Sequence, residues 1–302
     1  MTEHPLPTAP HPISPRATAS LRDYLELVKF SHTLFALPFA LGGMLLAAWG
    51  IPQWQVIGWI LVAMVGARTS AMGFNRIVDR EIDARNPRTK GREIPAGKVS
   101  VRGAMVLVIV SSLLFAFAAS RLNALAGWLS LPTLAALWCY SYCKRFTSFA
   151  HFVLGFCLGI APIGAWIAVQ GALAWSPVVL GAAVMLWVAG FDIIYATMDD
   201  EFDREEGLHS MVQRLGIPRA LSFARVLHLA FILLLVLMGA LLHLSGLFYA
   251  GVAGIAAFLA YEHAIVSPKD LRRVNAAFFT VNGAIAVFFL LLTALEVGLH
   301  RR

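Results

Sequence analysis

The sequence predicts an all-α, polytopic membrane protein of about nine transmembrane helices around a central cavity, with a cytoplasmic N-terminus. Composition is the first observation: 59% of the 302 residues are apolar, only 14% are charged, and mean hydropathy is +0.74. A soluble domain of this length is less hydrophobic. Apolar runs of membrane-spanning length and an alternating distribution of basic residues are the second and third observations.

Nine apolar runs define the predicted helices, since a span needs about 20 mostly apolar residues. They lie at 33–50, 53–74, 101–120, 122–140, 151–169, 175–197, 220–242, 246–262 and 275–297. Residues 1–20 are rich in Pro, Thr, Ser and His and lack an apolar core. We therefore expect a disordered N-terminal tail rather than a signal peptide, followed by one membrane domain over residues 21–302.

Basic residues predict the orientation of the helices. Twenty of the 24 Lys and Arg residues precede the first helix or fall in the segments 76–102, 143–150, 199–225 and 263–274. These are alternate ends of the predicted helices and should face the cytoplasm. Topology and phosphate binding explain the sequence pI near 9.7 better than a nucleic-acid partner does. The lipid bilayer of the inner (cytoplasmic) membrane is the expected location, with the functional site on its cytoplasmic side.

Two acidic motifs lie 120 residues apart at the ends of the second and sixth predicted helices. The first is Asn75-xxx-Asp79-xxx-Asp83, and the second contains Asp199-xxx-Asp203. A spacing of four places successive side chains on one helix face. Neighbouring carboxylates repel one another, so a row of them is most stable where a cation neutralises the charge. Oxygen ligands suit Mg²⁺, which commonly binds carboxylates together with substrate phosphates. The motifs therefore predict a Mg²⁺–diphosphate site.

Two charged residues fall inside apolar helices. Asp192 precedes Asp199 by seven residues, and Arg68 precedes Asn75 by seven. A charge at the centre of a membrane helix costs roughly 2.5–3.5 kcal/mol, so it normally faces a polar cavity or a partner. We expect both residues to face the predicted site, with mutual pairing of Arg68 and an acid such as Asp192 as an alternative role for Arg68.

Cations next to the acidic motifs match a diphosphate substrate. Arg88 and Arg92 follow Asp83 on a segment that Pro and Gly residues keep non-helical, while Lys144 and Arg145 follow the fourth helix. Together with Mg²⁺, such cations can bind a diphosphate and stabilise the charge it gains as its bond to carbon breaks.

The chain resembles the UbiA superfamily of intramembrane prenyltransferases. The resemblance lies in Asn75-xxx-Asp79-xxx-Asp83, the Asn-Pro-Arg-Thr and Arg-Glu-Ile-Pro-Ala-Gly segments within 86–97, Tyr140-xxx-Lys-Arg-x-Thr, and Phe191-Asp-Ile-Ile-Tyr-Ala-Thr-Met-Asp199-xxx-Asp203. It covers roughly residues 20–300. It implies Mg²⁺-dependent transfer of a polyprenyl group from its diphosphate to an aromatic quinone precursor, within a helical bundle whose cavity opens sideways to lipid.

The resemblance also implies a role for each matching position. Asn75, Asp79, Asp83, Asp199 and Asp203 would hold Mg²⁺, while Arg88, Arg92, Lys144 and Arg145 would bind the diphosphate. Asp192 would orient the acceptor or assist proton removal. Tyr195 and Tyr140 would line the acceptor or shield the allylic cation through their π-faces.

A small aromatic acid is the expected acceptor, most simply 4-hydroxybenzoate. The segment before and within the first helix contains Lys29 and His32, which with Arg68 could bind a carboxylate. The pattern Lys-Phe-x-His-Thr-Leu-Phe-Ala-Leu-Pro resembles a UbiA-like subgroup for which 1,4-dihydroxy-6-naphthoate, in menaquinone rather than ubiquinone biosynthesis, is the alternative acceptor. For His32, a structural role at the helix end is equally compatible with the sequence.

Two other classes of protein share single features of this sequence. Soluble isoprenyl diphosphate synthases and terpene cyclases carry a DDxxD motif like that of 199–203, but their surfaces must be polar. A secondary transporter could use intramembrane Asp192 and Arg68 as an ion path. It would not need two carboxylate rows beside an Arg-rich loop, so an enzyme is the better interpretation.

Overall fold

The structure is a computed structural model that describes residues 19–28 and 35–300, apart from the side chain of His300. It is almost entirely helical, and these residues contain no β-strand. In chain order the α-helices are α1 (Leu21–Leu27), α2 (Ala36–Ala48), α3 (Trp54–Val78), α4 (Arg80–Arg85), α5 (Val101–Leu122), α6 (Ala124–Cys143), α7 (Ala150–Gln170), α8 (Trp175–Ala196), α9 (Asp200–Glu205), α10 (Met211–Leu215), α11 (Ile217–Leu241), α12 (Gly246–Ile265), α13 (Val274–Ala276) and α14 (Asn282–His300). A 3₁₀ turn over Thr197–Asp199 joins α8 to α9, and a π-turn over Ala277–Val281 joins α13 to α14.

A helix occupies each of the nine places that the apolar runs predict, which confirms the all-α membrane architecture. Within the described part of the chain, seven helical segments are long and apolar enough to cross a membrane. The other two helices are α2, which has only 13 residues, and α6. The count of nine spans and the cytoplasmic N-terminus therefore stay predictions. The predicted tail over 1–20 falls almost wholly outside the described residues.

Local sequence signals set where the long helices begin and end. The Ser100 hydroxyl accepts a hydrogen bond from the Gly103 amide at the start of α5, and the side-chain oxygen Oδ1 of Asn123 accepts one from the Ala126 amide at the start of α6. Such caps satisfy amide groups that a helix start leaves unpaired. Gly171 ends α7 with φ 67°, a left-handed conformation that favours glycine.

Glycines allow α7 and α8 to pack very closely. A methyl group added at Gly155 would lie 2.3 Å from the Met185 carbonyl oxygen, and one added at Gly159 would lie 2.4 Å from that of Gly181. Small residues at such crossings are typical of membrane helix packing. Helix α8 also packs on α11, α3 on α5, and α2 on both α7 and α14. The resulting bundle fixes the ends of α3, α6 and α8 that carry the charged motifs.

Aromatic side chains fill the core between α2, α8, α11 and α14. Trp187 is fully buried, and its ring centroid lies 4.9 Å from that of Phe39 and 6.0 Å from that of Phe231. Phe39 in turn stacks on Phe289 at 4.5 Å. Large aromatic residues bury much apolar area, so this cluster ties four helices together.

A separate cavity of ≈ 520 Å³ lies between α3, α5, α6 and α7. Its lining is mostly apolar, with Arg68, Tyr140, Ser130 and Thr133 as polar exceptions. Along α6 the lining runs from Tyr140 to Ala126, a length of about 20 Å at 1.5 Å per residue. Phe156 and Leu173 line the cavity and are also exposed on the bundle surface, so the cavity reaches the lipid-facing side.

Candidate active site

The end of α3 places Asp79 against two cations from the end of α6. Lys144 Nζ lies 2.6 Å from Asp79 Oδ2, and Arg145 Nη2 lies 3.1 Å from Asp79 Oδ1. Asn75 Nδ2 donates to Asp79 Oδ2 at 3.1 Å, which is the contact expected for residues four apart on a helix. Asp79 is only 3% exposed. These four residues form one compact acidic and basic cluster.

The segment after α4 folds back over the acidic motifs. Arg92 Nη1 contacts Asp83 Oδ1 at 2.7 Å and Oδ2 at 2.8 Å. Arg88 forms two hydrogen bonds to Asp199 across the site: one joins Nε to Oδ1 at 2.9 Å, and Nη2 contacts Oδ2. The loop therefore bonds to one carboxylate of each motif, although Asp83 and Asp199 are 116 residues apart in sequence.

Arg88 also contacts the aromatic side of the site. Its Nη1 donates to the Tyr195 hydroxyl at 3.0 Å, and the guanidinium carbon lies 5.3 Å from the Tyr195 ring centroid. Burial lowers the pKa of Arg88, but the hydrogen bonds and charge of Asp199 more than offset burial and leave the pKa raised. Arg88 is therefore a permanent positive charge between the second acidic motif and Tyr195.

Both acidic motifs lie where a long helix gives way to a short one. Asp79 stands between α3 and α4, and Asp199 lies in the 3₁₀ turn before α9. The spacing of four did not predict this change of helix within each motif. The spacing of four survives at the first motif because the Asp83 amide still donates to the Asp79 carbonyl at 2.8 Å. Asp203 follows on α9 and is half-buried.

The donor atoms of this site suit Mg²⁺. In the part of the chain that the structure describes, no three His, Cys, Asp or Glu residues are grouped closely enough to hold a metal, because Asp79, Asp83 and Asp199 each face a basic side chain. Asp79 Oδ1 is nevertheless buried without a hydrogen bond, since its approach to Arg145 lacks hydrogen-bond geometry. A carboxylate oxygen with hydrogen-bonding capacity left over fits a hard cation.

His151 is a site residue that the sequence did not predict. Its Nδ1 lies 2.7 Å from Asp192 Oδ2, and its Nε2 accepts from the Met211 amide at 3.3 Å. Because the amide can only donate, Nε2 carries no hydrogen and the Nδ1 hydrogen points at Asp192. Asp192 therefore pairs with His151, whereas Arg68 lines the cavity beside α6.

Other predicted residues occupy distinct places. Tyr140 lies one turn before Lys144 on α6 and lines the cavity, so the cavity begins next to the acidic site. Arg145 donates to the carbonyls of Ser141 at 2.8 Å and Val78 at 2.9 Å, which ties the end of α6 to that of α3. Lys29 and His32, the candidate acceptor ligands, lie outside the described residues.

The sequence motifs also did not predict which aromatic side chains surround Tyr195. Its ring centroid lies 4.2 Å from that of Phe278 and 6.2 Å from that of Phe279, both in the π-turn. Phe278 further contacts Phe191 at 5.1 Å and Phe35 at 5.4 Å. Nothing in the spacing of these residues in the sequence predicts that they meet beside the second acidic motif.

Curated proteins similar to this chain include two that carry the same name. The chain is 30% identical over 258 residues to "4-hydroxybenzoate octaprenyltransferase" of Serratia proteamaculans, covering 85% of this chain and 89% of that protein. It is 29% identical over 270 residues to the protein of the same name from Aeromonas salmonicida, covering 88% and 93%.

Solved structures give the same fold. A UbiA homolog from Aeropyrum pernix K1, solved in apo form, is 32% identical with a TM-score of 0.79, covering 90% of this chain and 98% of that one. A UbiA homolog from Archaeoglobus fulgidus bound to GPP and Mg²⁺ is 21% identical with a TM-score of 0.72, covering 91% and 99%. The model of the UbiA prenyltransferase family matches residues 36–292. The chain therefore belongs to the UbiA prenyltransferase family and is a multi-pass membrane prenyltransferase.

Proposed function

We propose that this protein transfers a polyprenyl group from polyprenyl diphosphate to a carboxylated phenol, with 4-hydroxybenzoate as the first candidate acceptor. One observation carries the proposal. Arg88, Arg92 and Lys144 pair with carboxylates of the two acidic motifs, and Lys144 lies one helical turn from Tyr140, where an apolar cavity of ≈ 520 Å³ begins. A charged head group and a long apolar tail need this combination of surfaces side by side. The names of the curated relatives support 4-hydroxybenzoate.

Five residues of the two acidic motifs are proposed to hold Mg²⁺: Asn75, Asp79, Asp83, Asp199 and Asp203. When bound, Mg²⁺ would neutralise the diphosphate and stabilise the negative charge that the leaving group gains. The buried Asp79 Oδ1 supports this assignment, because it accepts no hydrogen bond and the ion pair with Arg145 leaves that hydrogen-bonding capacity unused.

The basic residues are proposed to exchange partners when the substrate arrives. Arg88, Arg92 and Lys144 are bonded to Asp199, Asp83 and Asp79, so their charges are already in place before a diphosphate enters. Phosphate oxygens can take over these bonds, and a guanidinium fork suits them well. Preorganised cations cost little reorganisation at the moment when the carbon–oxygen bond breaks.

Aromatic residues are proposed to stabilise the carbocation, and an acidic residue is proposed to accept the ring proton. Departure of diphosphate leaves an allylic cation, which the π-faces of Tyr195 and Tyr140 would stabilise. The acceptor ring then attacks, and a ring proton must leave. Asp192 is the proposed proton acceptor: His151 donates its Nδ1 hydrogen to Oδ2 and thereby orients the carboxylate, so that the other oxygen can take the proton.

The apolar cavity is proposed to hold the polyprenyl tail. It runs about 20 Å along α6 and reaches the bundle surface near Phe156 and Leu173, so a tail could extend into lipid. Gly164 lines this cavity, and a methyl group added there would meet no atom within 4 Å. Its absent side chain therefore leaves space for a ligand, whereas Gly155 and Gly159 serve helix packing.

Arg68, Lys29 and His32 remain the proposed ligands of the acceptor carboxylate. Arg68 is the one whose side chain the structure describes, and it lines the cavity together with Tyr140. A carboxylate that entered there would place its phenol ring between the diphosphate site and the tail cavity. The proposed orientation puts this site at the cytoplasmic face of the inner membrane.

Parallel incubations test the proposed function. Purified protein receives Mg²⁺, a labelled polyprenyl diphosphate and either 4-hydroxybenzoate or 1,4-dihydroxy-6-naphthoate, and products are separated by chromatography. We expect prenylated 4-hydroxybenzoate, and none in EDTA. Product from the naphthoate alone would identify 1,4-dihydroxy-6-naphthoate, the menaquinone precursor, as the acceptor. Product from neither compound would refute a carboxylated phenol as the acceptor.

A further inference from the structure

A second buried polar network lies apart from the acidic motifs, between α8, α12 and the start of α14. Asn282 Nδ2 donates to Glu262 Oε1 at 2.9 Å, and Trp187 Nε1 donates to Asn282 Oδ1 at 2.7 Å. All three residues are fully buried. Because an indole N–H can only donate, the orientation of the Asn282 amide is fixed. Buried polar networks of this kind specify one arrangement of the elements they join.

The network holds the π-turn at residues 277–281. Asn282 Nδ2 also donates to the Ala277 carbonyl at 3.0 Å, at the first residue of that turn. The π conformation is rare and occurs mostly as single turns, frequently at functional sites. Glu262 and Trp187 keep the Asn282 side chain in the position from which it can make this bond.

The π-turn carries two aromatic residues that face the active site. Phe278 lies 4.2 Å and Phe279 lies 6.2 Å from Tyr195, measured between ring centroids. The Tyr195 hydroxyl accepts from Arg88, which is bonded to Asp199. A continuous series of contacts therefore joins the buried network to the second acidic motif.

We infer that Trp187, Asn282 and Glu262 are positioning residues that hold Phe278 and Phe279 against Tyr195, and so decide whether the allylic cation is captured by the acceptor or by water. The inference rests on the proposed function. When the bond from carbon to the diphosphate oxygen breaks, the oxygen keeps the electron pair and the carbon becomes positive.

The cation has two possible fates, and the aromatic cluster favours one of them. Attack by the acceptor ring, followed by loss of a ring proton, gives the prenylated acceptor. Attack by water, followed by loss of a proton from that water, gives prenyl alcohol. An aromatic wall of Phe278, Phe279 and Tyr195 would stabilise the cation and shield it from water, so it suppresses the second fate.

The test measures both products in the same reaction, as the ratio of prenyl alcohol to prenylated acceptor. Asn282→Leu removes the amide while keeping similar bulk, and should raise the ratio roughly two- to fivefold, the size of one cation–π contact. Trp187→Phe removes the indole donor together with part of the buried ring, and should act in the same direction. Phe278→Leu should raise the ratio as well, and the Asn282→Leu/Phe278→Leu double variant should be less than additive, because both changes disturb one wall.

Three further variants separate positioning from general stability. Glu262→Gln keeps an oxygen that can accept from Asn282 and should retain the wild-type ratio, while Glu262→Leu should raise it. Thr293→Val is the matched control, because Thr293 is fully buried on the same helix but bonds only to carbonyls of that helix. Thr293→Val should leave the product ratio unchanged even if it changes the midpoint temperature of thermal unfolding.

The outcomes distinguish this inference from the proposed function. A wild-type protein that prenylates neither acceptor would refute the proposed function and the inference together. If the wild type forms prenylated product, a wild-type ratio in both Asn282→Leu and Trp187→Phe would overturn the inference alone. Full additivity of Asn282→Leu and Phe278→Leu would also overturn it.

Discussion

Replacing Arg88 should separate diphosphate binding from metal binding. In the structure Arg88 donates to both oxygens of Asp199 and to the Tyr195 hydroxyl, and its side chain is 32% exposed. We propose that the guanidinium fork turns from Asp199 to the diphosphate. Arg88→Ala would then remove two charge-assisted bonds from the bound substrate and from the transition state.

The size of the Arg88 effect follows from these two bonds. A hydrogen bond to a charged group contributes about 1.5–3 kcal/mol, and partial exposure favours the lower end of that range. Two such bonds give about 3 kcal/mol, which corresponds to a loss of about 100-fold in kcat/KM for the polyprenyl diphosphate. Arg88→Lys keeps the charge but not the fork, so its loss should be intermediate.

The assay is steady-state prenyl transfer with varied polyprenyl diphosphate, repeated over a range of Mg²⁺ concentrations. Arg88→Ala should not raise the Mg²⁺ concentration needed for half-maximal activity, because Asp199 loses a competing cation. Arg85→Ala is the matched control: Arg85 lies three residues earlier and pairs with Glu206, at 2.7 Å, away from the acidic motifs. Equal losses in Arg88→Ala and Arg85→Ala would refute the assignment of Arg88 to the diphosphate.

Three further predictions concern the metal, the tail and the acceptor. Asp79→Asn or Asp203→Asn should reduce turnover to background while the protein still inserts and unfolds normally, since each change removes a proposed Mg²⁺ ligand; near-wild-type turnover would exclude that residue. Gly164→Phe should reduce transfer from long polyprenyl diphosphates more than from geranyl diphosphate, because it fills the cavity, whereas Gly58→Phe, on an exposed face of α3, should change neither. Lys29→Ala should raise KM for the acceptor more than KM for the polyprenyl diphosphate, and equal changes in both constants would remove Lys29 from acceptor binding.

Much of the fold was predictable because membrane-spanning helices leave a strong signal. Long apolar runs must form helices in lipid, so composition alone gave the helix positions to within a few residues. The breaks after Val78 and at Thr197–Asp199 were not predicted. The backbone at Asp79 still makes helical hydrogen bonds to Asn75 and from Asp83. The sequence pattern therefore gives no sign of where one helix ends and the next begins.

The charged half of the site was more predictable than the aromatic half. Acidic and basic residues are rare in such a chain, so their positions near Asp79 and Asp199 stood out. His151 and Phe278 did not, because histidine and phenylalanine are common in many structural roles. Their contacts with Asp192 and Tyr195 join residues 41 and 83 positions apart and depend on the packing of α7, α8 and the π-turn.

The most direct test of the central claim is the stoichiometry and metal requirement of the wild-type reaction. Pyrophosphate release and formation of prenylated 4-hydroxybenzoate are measured together while Mg²⁺ is titrated from zero in a chelator-buffered solution. Both should rise with the same Mg²⁺ dependence, with one pyrophosphate released for each prenyl group transferred to the ring or lost as prenyl alcohol. Prenylated product formed at full rate without a divalent cation would contradict the proposal that the two acidic motifs act by holding Mg²⁺ against the diphosphate.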